Sequence, residues 1–148
     1  MARQLMLTAF VCLLAFTSTK AQIREVPREV EQTFIRQYPE AHSATYQDHL
    51  LNVRVRFIQD GETMLATYTN KGLWKETEQE ITFDQVSEEA KDGFQKSKYA
   101  EWNVVETRKV YRPNDVVLYR IKVEKNELQK KNLLFNTKGR LQVDEITL

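Results

Sequence analysis

Cysteine is almost absent from this sequence. A single one, Cys12, occurs in 148 residues, and it falls in an N-terminal apolar run. If that run is removed, the chain has no disulfide, no thiol nucleophile and no cysteine-based metal site. Histidine is nearly as scarce: His42 and His49 are the only two. No serine stands in a Gly-x-Ser-x-Gly setting, so the sequence shows no hydrolytic signature. With three prolines and four glycines there is no evident linker. No excess of one charge exists either, with 22 basic and 21 acidic residues. That balance argues against a dedicated nucleic-acid binder, which would be strongly basic.

What is present begins with an export signal. Arg3 supplies a positive start, and the apolar run Leu5 to Phe16 is broken only by Thr8. Thr19 and Ala21 then stand at the −3 and −1 positions of a cut before Gln22. This is the three-part grammar of a secretory signal peptide over residues 1–21. The run is shorter than the roughly 20 residues a bilayer span needs. A lipidated cysteine usually follows a small residue, and Cys12 follows Val11. The expected product is a periplasmic or secreted chain over 22–148, with no stable membrane span after processing.

In the remaining chain the pattern repeats. Val30, Phe34 and Tyr38 recur at four-residue steps, which predicts a helix with one apolar face. Pro27 suits its first turn and Pro39 ends it. Sixty residues later, Val86, Ala90 and Phe94 occupy the places of Val26, Val30 and Phe34. Asp84 or Ser87 suits the cap of that second helix, and Gly93 weakens it. After each helix the period changes to two. Val53, Val55 and Phe57 alternate with Arg54 and Arg56; Tyr119, Ile121 and Val123 alternate with Arg120 and Lys122. Turn chemistry follows at Asp60-Gly61, Asn70-Lys71-Gly72, Arg112-Pro113-Asn114-Asp115, Asn126-Glu127 and Thr137-Lys138-Gly139. The expected fold class is α+β: a tandem repeat, about 26–81 and 84–146, of a helix plus a four-stranded antiparallel sheet. Placed side by side, two such units can form one continuous antiparallel sheet of about eight strands, with both helices on one face.

The opening Val26-Pro27…Val30…Phe34…Tyr38-Pro39-Glu40-Ala41, with Asn70-Lys71-Gly72 and Thr137-Lys138-Gly139 before the last strands, resembles the PepSY-like family. Those are small, exported, beta-lactamase-inhibitor-like proteins common in the Bacteroides group. The resemblance spans Val26 to Ile146. It implies a tandem α-β4 fold and a binding or inhibitory role without catalysis. Two departures stand out: Ser87 replaces the proline, and Trp102 stands where the first unit has Ala41. The resemblance transfers no binding residue.

Several side chains invite a function and have a simpler reading. His42 and His49 read as surface histidines. Glu76, Glu78 and Glu80 share one strand face and offer oxygen ligands, but their spacing matches no calcium loop, so a solvated face is the simpler reading. No metal or cofactor is expected. Trp74 reads as core, by its alignment with Leu141; Trp102 has no large apolar counterpart and reads as a surface anchor. Arg54, Arg56, Arg120 and Lys122 occupy matched positions and point away from the apolar strand faces. They are the expected binding surface, together with Trp102, for an envelope protein or peptide of acidic character. The alternative for the four bases is a solvated face balanced by Glu62, Glu76 and Glu124. Two functions from different classes follow. One is a binding or inhibitory module that uses an open sheet face. The other is a small-ligand carrier or enzyme with a pocket between the repeats, for which a deep apolar pocket would speak.

Overall fold

The computed structural model describes residues 25–146, so the expected signal segment lies outside the described residues. The chain forms α1 (Arg28–Gln37), β1 (His42–Asp48), β2 (Asn52–Gln59), β3 (Glu62–Thr69) and β4 (Trp74–Ile81). A single 3₁₀ turn, Phe83–Gln85, leads to α2 (Glu88–Gln95). Then come β5 (Asn103–Arg112), β6 (Val116–Asn126), β7 (Gln129–Asn136) and β8 (Leu141–Ile146).

The turns form where local chemistry allows them. Asp60 and Gly61 both adopt positive φ, the geometry of a tight two-residue hairpin. Gly72 and Gly139 also have positive φ, and each lies against a helix. A Cβ on Gly72 would stand 2.6 Å from the Glu29 carbonyl oxygen, and one on Gly139 2.2 Å from that of Glu89. Gly93, a weak helix residue, has a packing reason: its Cβ would meet the Gly139 carbonyl oxygen at 2.0 Å. The two helices start differently. Pro27 precedes α1 without a side-chain cap, whereas the Ser87 side chain accepts from the Ala90 amide.

One sheet holds all eight strands in the order β1 to β8, antiparallel throughout. This overturns the expected tandem repeat of helix plus four-stranded sheet. β4 and β5 pair from Thr77↔Tyr111 to Ile81↔Thr107, so no boundary divides two four-stranded units. The physical reason lies in the level at which each is set. Periodicity and turn residues fix each segment locally, but the edges of β4 and β5 have unpaired N–H and C=O groups. Pairing them satisfies both rows at once and merges the segments into one sheet. The helices are a minor part of the structure, with ten and eight residues.

Both helices cover the same face of the sheet. Under α1, Val30 and Phe34 pack on Val53, Val55, Phe57, Ala66 and Tyr68. Under α2, Val86, Ala90 and Phe94 pack with Tyr99, Tyr119, Ile121, Val123, Leu133 and Phe135. Phe34 meets Phe57 edge-on, with ring centroids 5.0 Å apart, a favoured aromatic geometry. Between the two clusters, the same face is polar and hydrogen-bonded. Trp74 Nε1 donates to Thr77 Oγ1 at 2.8 Å, and Tyr38 Oη shares a 2.6 Å bond with that same oxygen. Trp74 therefore lies at the margin of the core, while Leu141, its expected counterpart, is exposed.

Candidate functional site

The opposite face of the sheet has no helix over it among the described residues. Strand alternation places its side chains. With Val53, Val55 and Phe57 buried under α1, Arg54 and Arg56 face outward and are exposed. With Tyr119, Ile121 and Val123 buried under α2, Leu118, Arg120 and Lys122 face the other way. The four expected basic residues thus lie on one face of one sheet. Trp102 does not join them. It is half-buried on the helix side, packed against Tyr99 with ring centroids 5.2 Å apart. Its size is used there to close the α2 cluster.

The four bases are not equivalent. Arg120 lies directly opposite Arg108 across the β5–β6 pair, an arrangement that repels unless acids intervene. Glu76 and Glu78 on β4 supply them. Glu78 accepts from Arg108 at 2.8 Å and pairs with Arg120; Glu76 pairs with Arg112 at 2.8 Å and with Arg120 at 3.1 Å. Glu106 also pairs with Arg108. Burial alone would raise the Glu76 carboxyl, but the Arg120 and Arg112 guanidinium groups outweigh it and hold that carboxyl below its ordinary range. Glu78 is only 8% exposed, which a carboxylate tolerates when it is paired in this way. Beside this network, Val110, Leu118, Leu134 and Val143 form a third apolar cluster.

Arg54, Arg56 and Lys122 stand outside the network and form no ion pair with another described residue. Side chains from β2 through β7 line one cavity of about 310 Å³ at the centre of the face. Arg54, Arg108, Arg120 and Lys122 contribute four cations to it, against the carboxylates of Glu78 and Glu106. Sequence reasoning missed Arg108, Glu106 and Asn132 at this cavity. Their signal was alternation along β5 and β7, and on β5 it is interrupted by an irregularity between Val104 and Glu106.

The remaining candidates are dispersed. His42 begins β1 and His49 lies in the β1–β2 turn, both exposed. The β1–β2 turn is closed by backbone bonds between His49 and Asn52. Of the three carboxylates weighed as metal ligands, Glu76 and Glu78 are held by arginines, and no group of metal-ligating residues gathers among the described residues. No helix is long and apolar enough to cross a membrane among the described residues.

No protein-family model and no curated protein sequence matches the chain. Solved structures do. A DUF2874 family protein from Bacteroides ovatus superposes with a TM-score of 0.74 at 23% identity, over 83% of this chain and 89% of that one. A protein described as periplasmic from Bacteroides eggerthii gives 0.72 at 21% identity, over 83% and 90%. A BLIP-like protein from Bacteroides fragilis gives 0.74 at 18% identity, over 85% and 89%. These chains share the fold described here.

Proposed function

We propose that this protein is a periplasmic, non-catalytic binding module that receives an acidic protein or peptide on the open face of its sheet. The observation that carries this reading is the state of the face. It is broad, uncovered among the described residues, and bears Arg54, Arg56 and Lys122 outside any described ion pair. Arginine offers planar, bidentate hydrogen bonding to carboxylates, so such residues favour an acidic partner. Arg120 contributes as a guanidinium already fixed by Glu76 and Glu78. An orienting partner of that kind loses little freedom on binding.

The fold neighbours support the compartment and the class of activity. One is described as periplasmic and another as BLIP-like. Inhibition of an envelope enzyme is one form such binding takes, in keeping with the resemblance read from the sequence. The open-face cavity is lined largely by charged and polar groups, which fits a charged contact better than an apolar ligand.

The test is a paired capture from envelope extract. The bait is the exported protein, beside a variant carrying Arg54→Ser, Arg56→Ser and Lys122→Ser. A protein retained by the first and lost by the second supports the reading. A partner held equally by both places the contact elsewhere.

A further inference from the structure

We infer that the cavity at the centre of the open face is a subsite for a single glutamate or aspartate side chain of the docked partner, bound between Arg54 and Lys122. This inference rests on the open-face reading above and narrows it to one contact.

The geometry sorts the cavity's cations into two kinds. Arg108 and Arg120 are held by Glu78, and Arg108 also by Glu106, so they form a neutralised wall. Arg54 reaches the cavity from β2 and Lys122 from β6, on opposite sides of the strands between, and neither has an ion-pair partner among the described residues. Two unmatched cations converging on one concavity leave a local positive charge, and a bound carboxylate would offset part of it. Thr67 and Asn132 add hydrogen-bonding groups to the lining, and Leu65 offers an apolar surface for the methylene stem of an acidic side chain.

The wall also limits what enters. A phosphate group carries about −1.5 to −2 at neutral pH, and because Glu78 and Glu106 line the same cavity, it gains less there than its charge alone would give. A carboxylate carries one charge and accepts from both free cations. A second ring of contacts comes from Arg54 itself, which also borders a neighbouring hollow lined by Lys75, Glu76 and Arg112. The chain on either side of the acidic residue has room to follow that hollow.

The inference is tested by titrating the ¹⁵N-labelled exported protein with two blocked peptides, identical except for a central Glu or Gln. Inorganic phosphate serves as a third probe. The Glu peptide is expected to shift the amides of Thr67, Lys122 and Asn132, with an affinity of about the millimolar order for so small a contact. The Gln peptide and phosphate are expected to bind at least about tenfold more weakly, since a charge-assisted pair is lost or opposed. The double variant Arg54→Ser and Lys122→Ser should abolish the shifts while keeping a dispersed, folded spectrum. Lys138→Ser, which removes one cation on the exposed β7–β8 turn, should leave them unchanged. Equal response to Glu and Gln, tighter phosphate binding, no shift at all, or shifts that survive the double variant would each overturn the subsite. A captured partner that still docks on the open face of the double variant would leave the wider reading standing. A partner that perturbs only the helix side would remove both.

Discussion

The two faces of this sheet are built by different physics from the same strands. The covered face excludes water with nonpolar groups: Val30, Phe34, Val53, Val55 and Phe57 on one side, Ala90, Phe94, Ile121, Val123 and Phe135 on the other. The open face brings carboxylates and guanidinium groups together over the middle strands and leaves Arg54, Arg56 and Lys122 outside the network. Burial of apolar area drives folding and is not selective about partners. Paired charges contribute less to stability but fix geometry, which suits a surface that must discriminate. Changes to the covered face should therefore act on folding, and changes to the open face chiefly on binding.

The largest break in that contrast comes from the core. Phe34→Ala and Phe94→Ala each leave a cavity under a helix and should destabilise by about 3–5 kcal/mol, read by denaturant unfolding. Near-equal losses would show that the two clusters share the load of one sheet. A negligible loss at either would separate that helix from the fold. Gly139→Ala comes next. Its Cβ meets the Glu89 carbonyl oxygen in a left-handed backbone, so a loss of about 3 kcal/mol is expected. Gly61→Ala gives a milder control, because its φ is also positive but nothing lies within 4 Å.

Open-face changes sharpen the contrast at lower cost. Glu78→Ala frees Arg108 and Arg120 from a shared partner. Breaking a buried pair costs about 3–5 kcal/mol; here the two arginines are about a quarter exposed and can reach water, so about 2 kcal/mol is expected. Glu76 adds a pH dependence of known sign. Because its folded carboxyl lies below the ordinary range, its stabilisation is present above the unfolded value and disappears as pH falls through the folded one. Glu76→Gln should flatten the acid limb of the stability curve, as measured by unfolding at stepped pH. Smallest of all, Arg54→Ser, Arg56→Ser and Lys122→Ser should each shift stability by about 0.5 kcal/mol or less.

What could be read from the sequence was local. Val30 and Phe34, Ser87, Gly72, Gly139 and Asp60-Gly61 each determine their own few residues through burial, capping or positive φ. The outward direction of Arg54, Arg56, Arg120 and Lys122 followed from alternation alone. What escaped was set between strands. Nothing near Thr77 announces Tyr111, because register belongs to the pair and not to either segment. That is why the chain read as two side-by-side units and proved to be one sheet, and why Arg120, weighed both as a binding base and as one balanced by acids such as Glu76, proved to be held by Glu76 and Glu78. Trp102 shows the same gap in another form. The lack of a large apolar counterpart in the first unit marked it for a surface contact, but it packs against the Tyr99 ring on the helix side.

The most direct measurement is the association rate of a captured partner with the exported protein and with its Arg54→Ser, Arg56→Ser, Lys122→Ser variant, across a range of salt. If the open face receives an acidic partner, the variant associates more slowly at low salt, and the gap narrows as ionic strength rises and screens the charges. If both proteins associate at the same rate at every salt concentration, the open face is not where the partner binds.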